Sequence, residues 1–198
     1  MFLFNKIRNA LIGCELTVSY SLSKDDAEIV SNRIDNSNSV GDVIEQVVGD
    51  LCGDMLTKGP PNQSPDFYCK NPMTFIQNQT VNDVEIKVFE NNPSFDIGNF
   101  DAYNRIISTE SGLHKKIFKT MYLIIEYKSV TMRSFRIKDV WAKNVWELPN
   151  YDGKYPLSLQ VKQKRPYNIR PGTKKGWNDG KKTPKMFIDS LIECQNIW

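Results

Sequence analysis

Leu123, Ile124 and Ile125 follow one another without a polar break, and this run constrains the fold more than any other segment of the sequence. Successive side chains of a strand point to opposite faces, so an uninterrupted apolar run belongs to a strand covered on both sides. Residues 122–127 are therefore predicted to be a buried strand, and the rest of the chain must supply the layers that cover it. Helical spacing recurs in Val40, Val43, Ile44, Val47, Val48 and Leu51. Ser39 is placed to cap that helix, and Gly59-Pro60-Pro61 stops the chain soon after it. Residues 24–34, 99–108, 138–147 and 186–193 also read as helix, with Phe100, Tyr103 and Ile107 on one side of the second of these. Residues 66–69, 73–77 and 84–89 read as strands, and 58–65 as a loop. Residues 157–164 form a further strand in which Leu157, Leu159 and Val161 alternate with polar neighbours. This order predicts an α/β or α+β domain with a mixed central β-sheet flanked by helices.

A length of 198 residues suits a single domain, 1–198. Apolar residues make up 40% and charged residues 25% of the chain, which excludes a long disordered tail and a collagen-like repeat. No apolar run is long enough to span a bilayer, so no membrane association is expected. Lys6, Arg8 and Asn9 interrupt the first eleven residues where an export signal needs an apolar core. Cys14, Cys52, Cys69 and Cys194 have no CxxC spacing, and His114 is the single histidine. A zinc site is therefore not expected, and free thiols in a reducing cytoplasm are.

The overall charge of +3 hides an asymmetry. Residues 151–198 carry ten basic side chains against four acidic ones, or +6, which leaves −3 on the first 150 residues. A basic quarter on an acidic body points to a polyanionic partner. A solvated lysine-rich loop would show the same composition.

The chemistry narrows by exclusion. With one histidine and no GxSxG, a nucleophilic triad has no support. His114 is read as a structural or surface residue. Neither GxxxxGK[ST] nor GxGxxG occurs, so no nucleotide cofactor is expected. Carboxylates and lysines remain. Asp66 precedes Glu85 by 19 residues, and Glu85 and Lys87 stand two apart on a predicted strand, hence on one face. If the strand beginning at Asp66 pairs with the strand of Glu85, these three side chains converge. Two carboxylates at one point suit Mg²⁺, which keeps water in its other positions. The metal lowers the pKa of bound water and neutralises phosphate charge, and a lysine beside it can orient the water or stabilise the phosphorane. Read alone, the same strand is an amphipathic edge strand.

Pro65-Asp66 followed by Glu85-Ile86-Lys87 resembles the motif of the PD-(D/E)XK nuclease superfamily, over a core of about residues 40–165. Within that superfamily the small single domain looks most like a type II restriction endonuclease. The resemblance implies a restriction-endonuclease-like core, with Asp66 and Glu85 as metal ligands and Lys87 as the catalytic lysine. Many members add an acidic residue from the preceding helix. Glu45 is the best match, with Asp42, Asp50 and Asp54 as rivals. The implied activity is Mg²⁺-dependent, sequence-specific cleavage of double-stranded DNA by a prokaryotic cytoplasmic homodimer, leaving 5′-phosphate ends. A nicking repair nuclease or junction resolvase of the same fold, and a DNA-binding protein without catalysis, are the alternatives. A competing constellation joins Asp96 or Asp101 to Glu126-Tyr127-Lys128. It lacks the preceding proline, and Asp101 opens a predicted helix, where a carboxylate serves the dipole.

With that motif in place, residues 151–187 become a DNA-recognition strand and a basic, flexible arm. Gln160, Lys162, Lys164, Arg165, Asn168 and Arg170 are candidates for reading base edges. Lys174, Lys175, Lys181 and Lys182 are candidates for phosphate binding. Glu126 is expected to be structural or to support the site. Trp141 and Trp146 are expected in the core or at a dimer interface.

Overall fold

The computed structural model describes residues 2–17, 20–24, 27–31, 37–61, 63–76, 79–109, 113–178 and 180–198. Helix α1 (Leu3–Leu11) leads to strand β1 (Glu15–Thr17) and to a hairpin of β2 (Tyr20–Lys24) and β3 (Ala27–Ser31). Helix α2 (Ser37–Cys52) is followed by β4 (Leu56–Lys58), β5 (Phe67–Ile76) and β6 (Gln79–Phe89). After β7 (Gly98–Asn99) and α3 (Phe100–Ile107), a turn of π-helix at Leu113–Phe118 enters β8 (Thr120–Ser129) and β9 (Ser134–Lys143). A 3₁₀ turn at Val145–Glu147, a hairpin of β10 (Leu159–Lys162) and β11 (Arg165–Ile169), and helix α4 (Pro184–Ile197) follow.

Six strands form one mixed sheet in the order β1-β9-β8-β6-β5-β4. Strands β6 and β8 run parallel, and the other neighbours are antiparallel. The apolar run lies in β8, and both of its faces are covered. Leu123 and Ile125 join a core with Leu3 and Ile7 of α1 and Val40, Ile44 and Val48 of α2. Tyr122 and Ile124 join a second core with Phe100 and Tyr103 of α3 and Phe187 and Leu191 of α4. Each fully buried aliphatic side chain contributes about 1.5–3 kcal/mol relative to exposure, so this run holds a helical layer on each side. The parallel β6/β8 pair needs a long crossover. That crossover carries α3 to the second face and returns through the π-helical turn to the start of β8.

Several local expectations change. Residues 138–147 form the end of β9 and the 3₁₀ turn instead of a helix. Val140 and Trp141 are good strand formers, and pairing along the buried β8 outweighs a weak helical spacing. Within residues 24–34 the described part is the β2/β3 hairpin, with Leu22 opposite Ile29. The strands expected at 66–69 and 73–77 are one strand, β5, with an irregularity between Tyr68 and Met73. Gln77 lies outside the described residues. Helix α2 begins at Ser37, so Ser39 lies within the helix instead of capping it. The strand expected at 157–164 is the shorter β10, paired with β11. Trp141 packs on Phe89 and Trp177, with ring centroids 6.0 and 5.7 Å away.

Candidate active site

Strands β5 and β6 bring the three motif residues together. Phe67 stands opposite Val84, which sets Asp66, one residue earlier, beside Glu85 and Ile86. Asp66 Oδ2 accepts the Ile86 N–H at 2.5 Å. Glu85 and Lys87 share one face of β6, and their Nζ–Oε2 distance is 3.6 Å. Asp66, Glu85 and Lys87 line a cavity of about 420 Å³, together with Asp42, Glu45, Lys58 and Gly59.

The two carboxylates differ. Burial and the neighbouring Glu85 push the Asp66 carboxyl up to about 6, against the pull of the Ile86 N–H and Lys87. Burial also pushes Glu85 upward, but Lys116, Lys87 and Ser64 outweigh it, so Glu85 is held below the ordinary carboxylate range. The site therefore pairs a firmly ionised glutamate with an aspartate whose charge is only partly compensated.

Three further contributors were not assigned to the site from the sequence. Lys116 Nζ, from the π-helical turn before β8, lies 3.0 Å from Glu85 Oε1 and donates to Ser64 Oγ at 2.6 Å. Ser64 in turn donates to Glu85 Oε1. Gly59 N–H donates to Asp66 O at 2.7 Å. A Cβ at Gly59 would meet Pro65 O at 1.9 Å. The loop after β4 can thus lie against Pro65-Asp66 only with glycine at 59. The sequence showed Gly59 as a chain stop, and its partner is visible only once the loop is folded back.

Among the acids of α2, Glu45 and Asp42 line the cavity, and Glu45 contributes to the upward shift of Asp66. Glu45 also pairs with Lys58 at 3.5 Å. Asp54 pairs with Lys6 at 3.7 Å and is well exposed, and Asp50 is exposed. The competing constellation is dispersed. Asp96 accepts from Asn168 and Arg170, at 2.6 Å each, and Glu126 pairs with Lys138 and Lys174 at 3.1 and 2.8 Å.

The donor set fits a hard divalent cation. Among the described residues no group of three or more His, Cys, Asp or Glu side chains is arranged around a point, which leaves the Asp66–Glu85 pair. Mg²⁺ takes one or two carboxylates and completes its shell with water and phosphate oxygens. Burial is the main cause of the raised Asp66, and a cation between these carboxylates would relieve the Glu85 repulsion that adds to it.

The basic quarter divides into two kinds of residue. Lys162, Lys164 and Arg165 stand exposed at the β10/β11 turn, where Gln163 and Lys164 adopt φ of 49° and 62°. This is the backbone of a two-residue turn matched to strand twist. Asn168 and Arg170 are held by Asp96, and Arg170 and Asp96 border a second cavity that shares Asp42, Glu45 and Lys87 with the first. Gln160 Oε1 is buried and has no partner among the described residues. The segment expected to be a flexible arm instead packs on the body. Lys174 reaches Glu126, Trp177 is buried with its Nε1 donating to Leu148 O, and Lys182 donates to Glu147 O. Lys175 is exposed, and so is Lys181. His114 lies in the π-helical turn. No helix among the described residues is long and apolar enough to cross a membrane.

The type II restriction enzyme NlaIV of Neisseria lactamica is 30% identical over 152 residues, which cover 74% of this chain and 60% of that enzyme. The chain thus spans less than two thirds of that relative's length. The solved structure of the NlaIV restriction endonuclease superposes with a TM-score of 0.68 at 22% identity, covering 97% of this chain and 77% of that one, which establishes the shared fold. A model of the NgoBV restriction endonuclease family matches residues 3–193, and on that match the chain belongs to the NgoBV restriction endonuclease family.

Proposed function

We propose that this protein is a Mg²⁺-dependent endonuclease that hydrolyses phosphodiester bonds of double-stranded DNA at a specific sequence, leaving 5′-phosphate and 3′-hydroxyl ends. The observation that carries the reading is the convergence of Asp66, Glu85 and Lys87 at the mouth of one hairpin, in a cavity open to solvent. Family membership supports DNA as the substrate class.

Asp66 and Glu85 would hold the ion, and Glu45 would support them from α2. The ion supplies charge neutralisation at the phosphate and acidifies its bound water. Lys87 keeps about a quarter of its side chain exposed (26%). Its ammonium is placed to hydrogen-bond the attacking water or the oxygen on which charge develops. The Ile86 N–H keeps the Asp66 carboxylate turned toward β6. Lys162, Lys164 and Arg165 at the exposed turn, with Asn168 and Arg170 beside Asp96, would meet the bases. Lys175, Lys181 and Lys182 would flank the phosphates, Lys174 would brace this surface through Glu126, and Gln160 would support it from within. A two-fold dimer, with one strand cut by each subunit, is the simplest arrangement for a palindromic site.

The test is incubation of the full chain with plasmid and phage DNA, with Mg²⁺ and with EDTA. Discrete fragments in Mg²⁺ and intact DNA in EDTA are expected. Nicked circles would favour a strand-nicking role, and shifted but uncut DNA would overturn the catalytic assignment.

A further inference from the structure

Glu85 Oε1 is the most contested atom of the site. It faces Lys116 Nζ at 3.0 Å and accepts from Ser64, while Oε2 faces Lys87. Lys116 also donates to Ser64 Oγ at 2.6 Å, so lysine, serine and glutamate close a triangle. The two lysines are not equivalent. Lys87 rides on the same strand as Glu85 and keeps its place relative to it. Lys116 comes from the end of the β6–β8 crossover, 31 residues away in sequence. Its side chain is only 24% exposed, which suits an ammonium held in a fixed position. The motif accounts for Lys87 and leaves Lys116 without a role.

We propose that Lys116 is a positioning residue that sets how tightly the Asp66–Glu85 pair takes a divalent cation. The inference rests on the metal-dependent reading given above. Lys116 acts in two ways of the same sign. It occupies Oε1, an oxygen that an entering cation must share or take. It also places a positive charge a few ångströms from where the cation would lie. With Lys116 the site has two carboxylates and two ammonium groups; without it one negative charge is left over. At about 6 Å and water-like screening, the repulsion between an ammonium and a divalent ion is worth roughly tenfold in affinity. Lys116 therefore keeps the site from binding metal tightly on its own, and a phosphate group entering the cavity offers its ammonium an alternative anion.

The experiment is titration of the full chain with Mn²⁺ in the absence of DNA, by calorimetry and by water-proton relaxation. Lys116→Met is expected to bind Mn²⁺ about tenfold more tightly than the unaltered protein, and Lys116→Arg to stay within about twofold of it. Lys116→Gln carries the same expectation as Lys116→Met and replaces it should the methionine variant fail to fold. Glu85→Gln serves as the reference. If Glu85→Gln loses Mn²⁺ while the neutral Lys116 variants bind as before or more weakly, the role of Lys116 is overturned and the metal site stands. If Glu85→Gln binds Mn²⁺ unchanged, the metal-site reading itself fails.

Discussion

Asp66 Oδ2 and the Ile86 N–H lie 2.5 Å apart, so the aspartate is tied to the strand that carries the other two motif residues. The bond joins a loop residue to the residue between Glu85 and Lys87. It ties the relative placement of the two carboxylates to the β5/β6 hairpin. The consequences can be measured.

The two carboxylates have opposite effects on stability. Asp66 is raised to about 6 from 3.8. Its stabilising contribution is complete below pH 4 and is lost as pH rises through 6. Asp66→Asn should therefore unfold at a higher temperature than the parent at pH 8 and at the same temperature at pH 4. The gain is about 1–3 kcal/mol, reduced by partial solvation. Glu85 is lowered, so its contribution is present above its unfolded value and is lost on acidification. Glu85→Gln should be destabilised at neutral pH, and melting curves that moved the same way for both variants would contradict these opposite signs.

Lys87→Ala should reduce cleavage by about a hundredfold or more, a typical magnitude for loss of a positioned proton donor. Binding to uncleaved DNA, followed by mobility shift in Ca²⁺, should change little. Near-normal cutting would remove Lys87 from the reacting groups.

Gly59→Ala should be costly despite its distance from the chemistry in sequence. The added Cβ meets Pro65 O at 1.9 Å, so the loop must move and take Asp66 with it. Overpacking of this kind costs about 1–3 kcal/mol. Denaturant unfolding should show that loss, and cleavage should fall with it. A variant as stable and active as the parent would mean that the loop shifts freely.

The lysines of the basic quarter should separate by salt dependence. Replacing Lys175 or Lys181 with alanine should lower the slope of log affinity against log salt by about 0.9 for each phosphate that is no longer neutralised. Lys174→Ala should leave the slope almost unchanged and lower the melting temperature, because the ammonium is engaged by Glu126 at 2.8 Å. A slope change from Lys174 equal to that from Lys175 would place Lys174 on the DNA.

Much of the fold was legible because its signals are local. The apolar run of β8, the stripe of α2 and the face of α3 each report burial through a period of two or 3.6 residues. Glu85 and Lys87 were legible as a pair for the same reason, because spacing on one strand decides which side chains share a face; Asp66 joined them through the Pro65-Asp66 resemblance. Residues 138–147 misled because Val140, Trp141, Val145 and Trp146 suit more than one period. What makes most of this segment a strand is the neighbouring β8, from Tyr122 opposite Lys143 to Ser129 opposite Phe135. That partner is remote from any local pattern.

The sequence by itself determined that a buried strand needs a layer on each side, and that Glu85 and Lys87 stand at strand spacing with an aspartate behind a proline 19 residues before Glu85. Tertiary structure alone decided which other groups share their space. Lys116 reaches Glu85 because a parallel strand pair forces a long crossover whose end returns beside β6. Gly59 touches Pro65 because β4 and β5 pair. Lys174 reaches Glu126 because the buried Trp177, packed on Trp141 of β9, anchors the segment beside it. Each of these pairings joins residues whose separation along the chain carries no period, so only the packing of the sheet and its two helical layers brings them together.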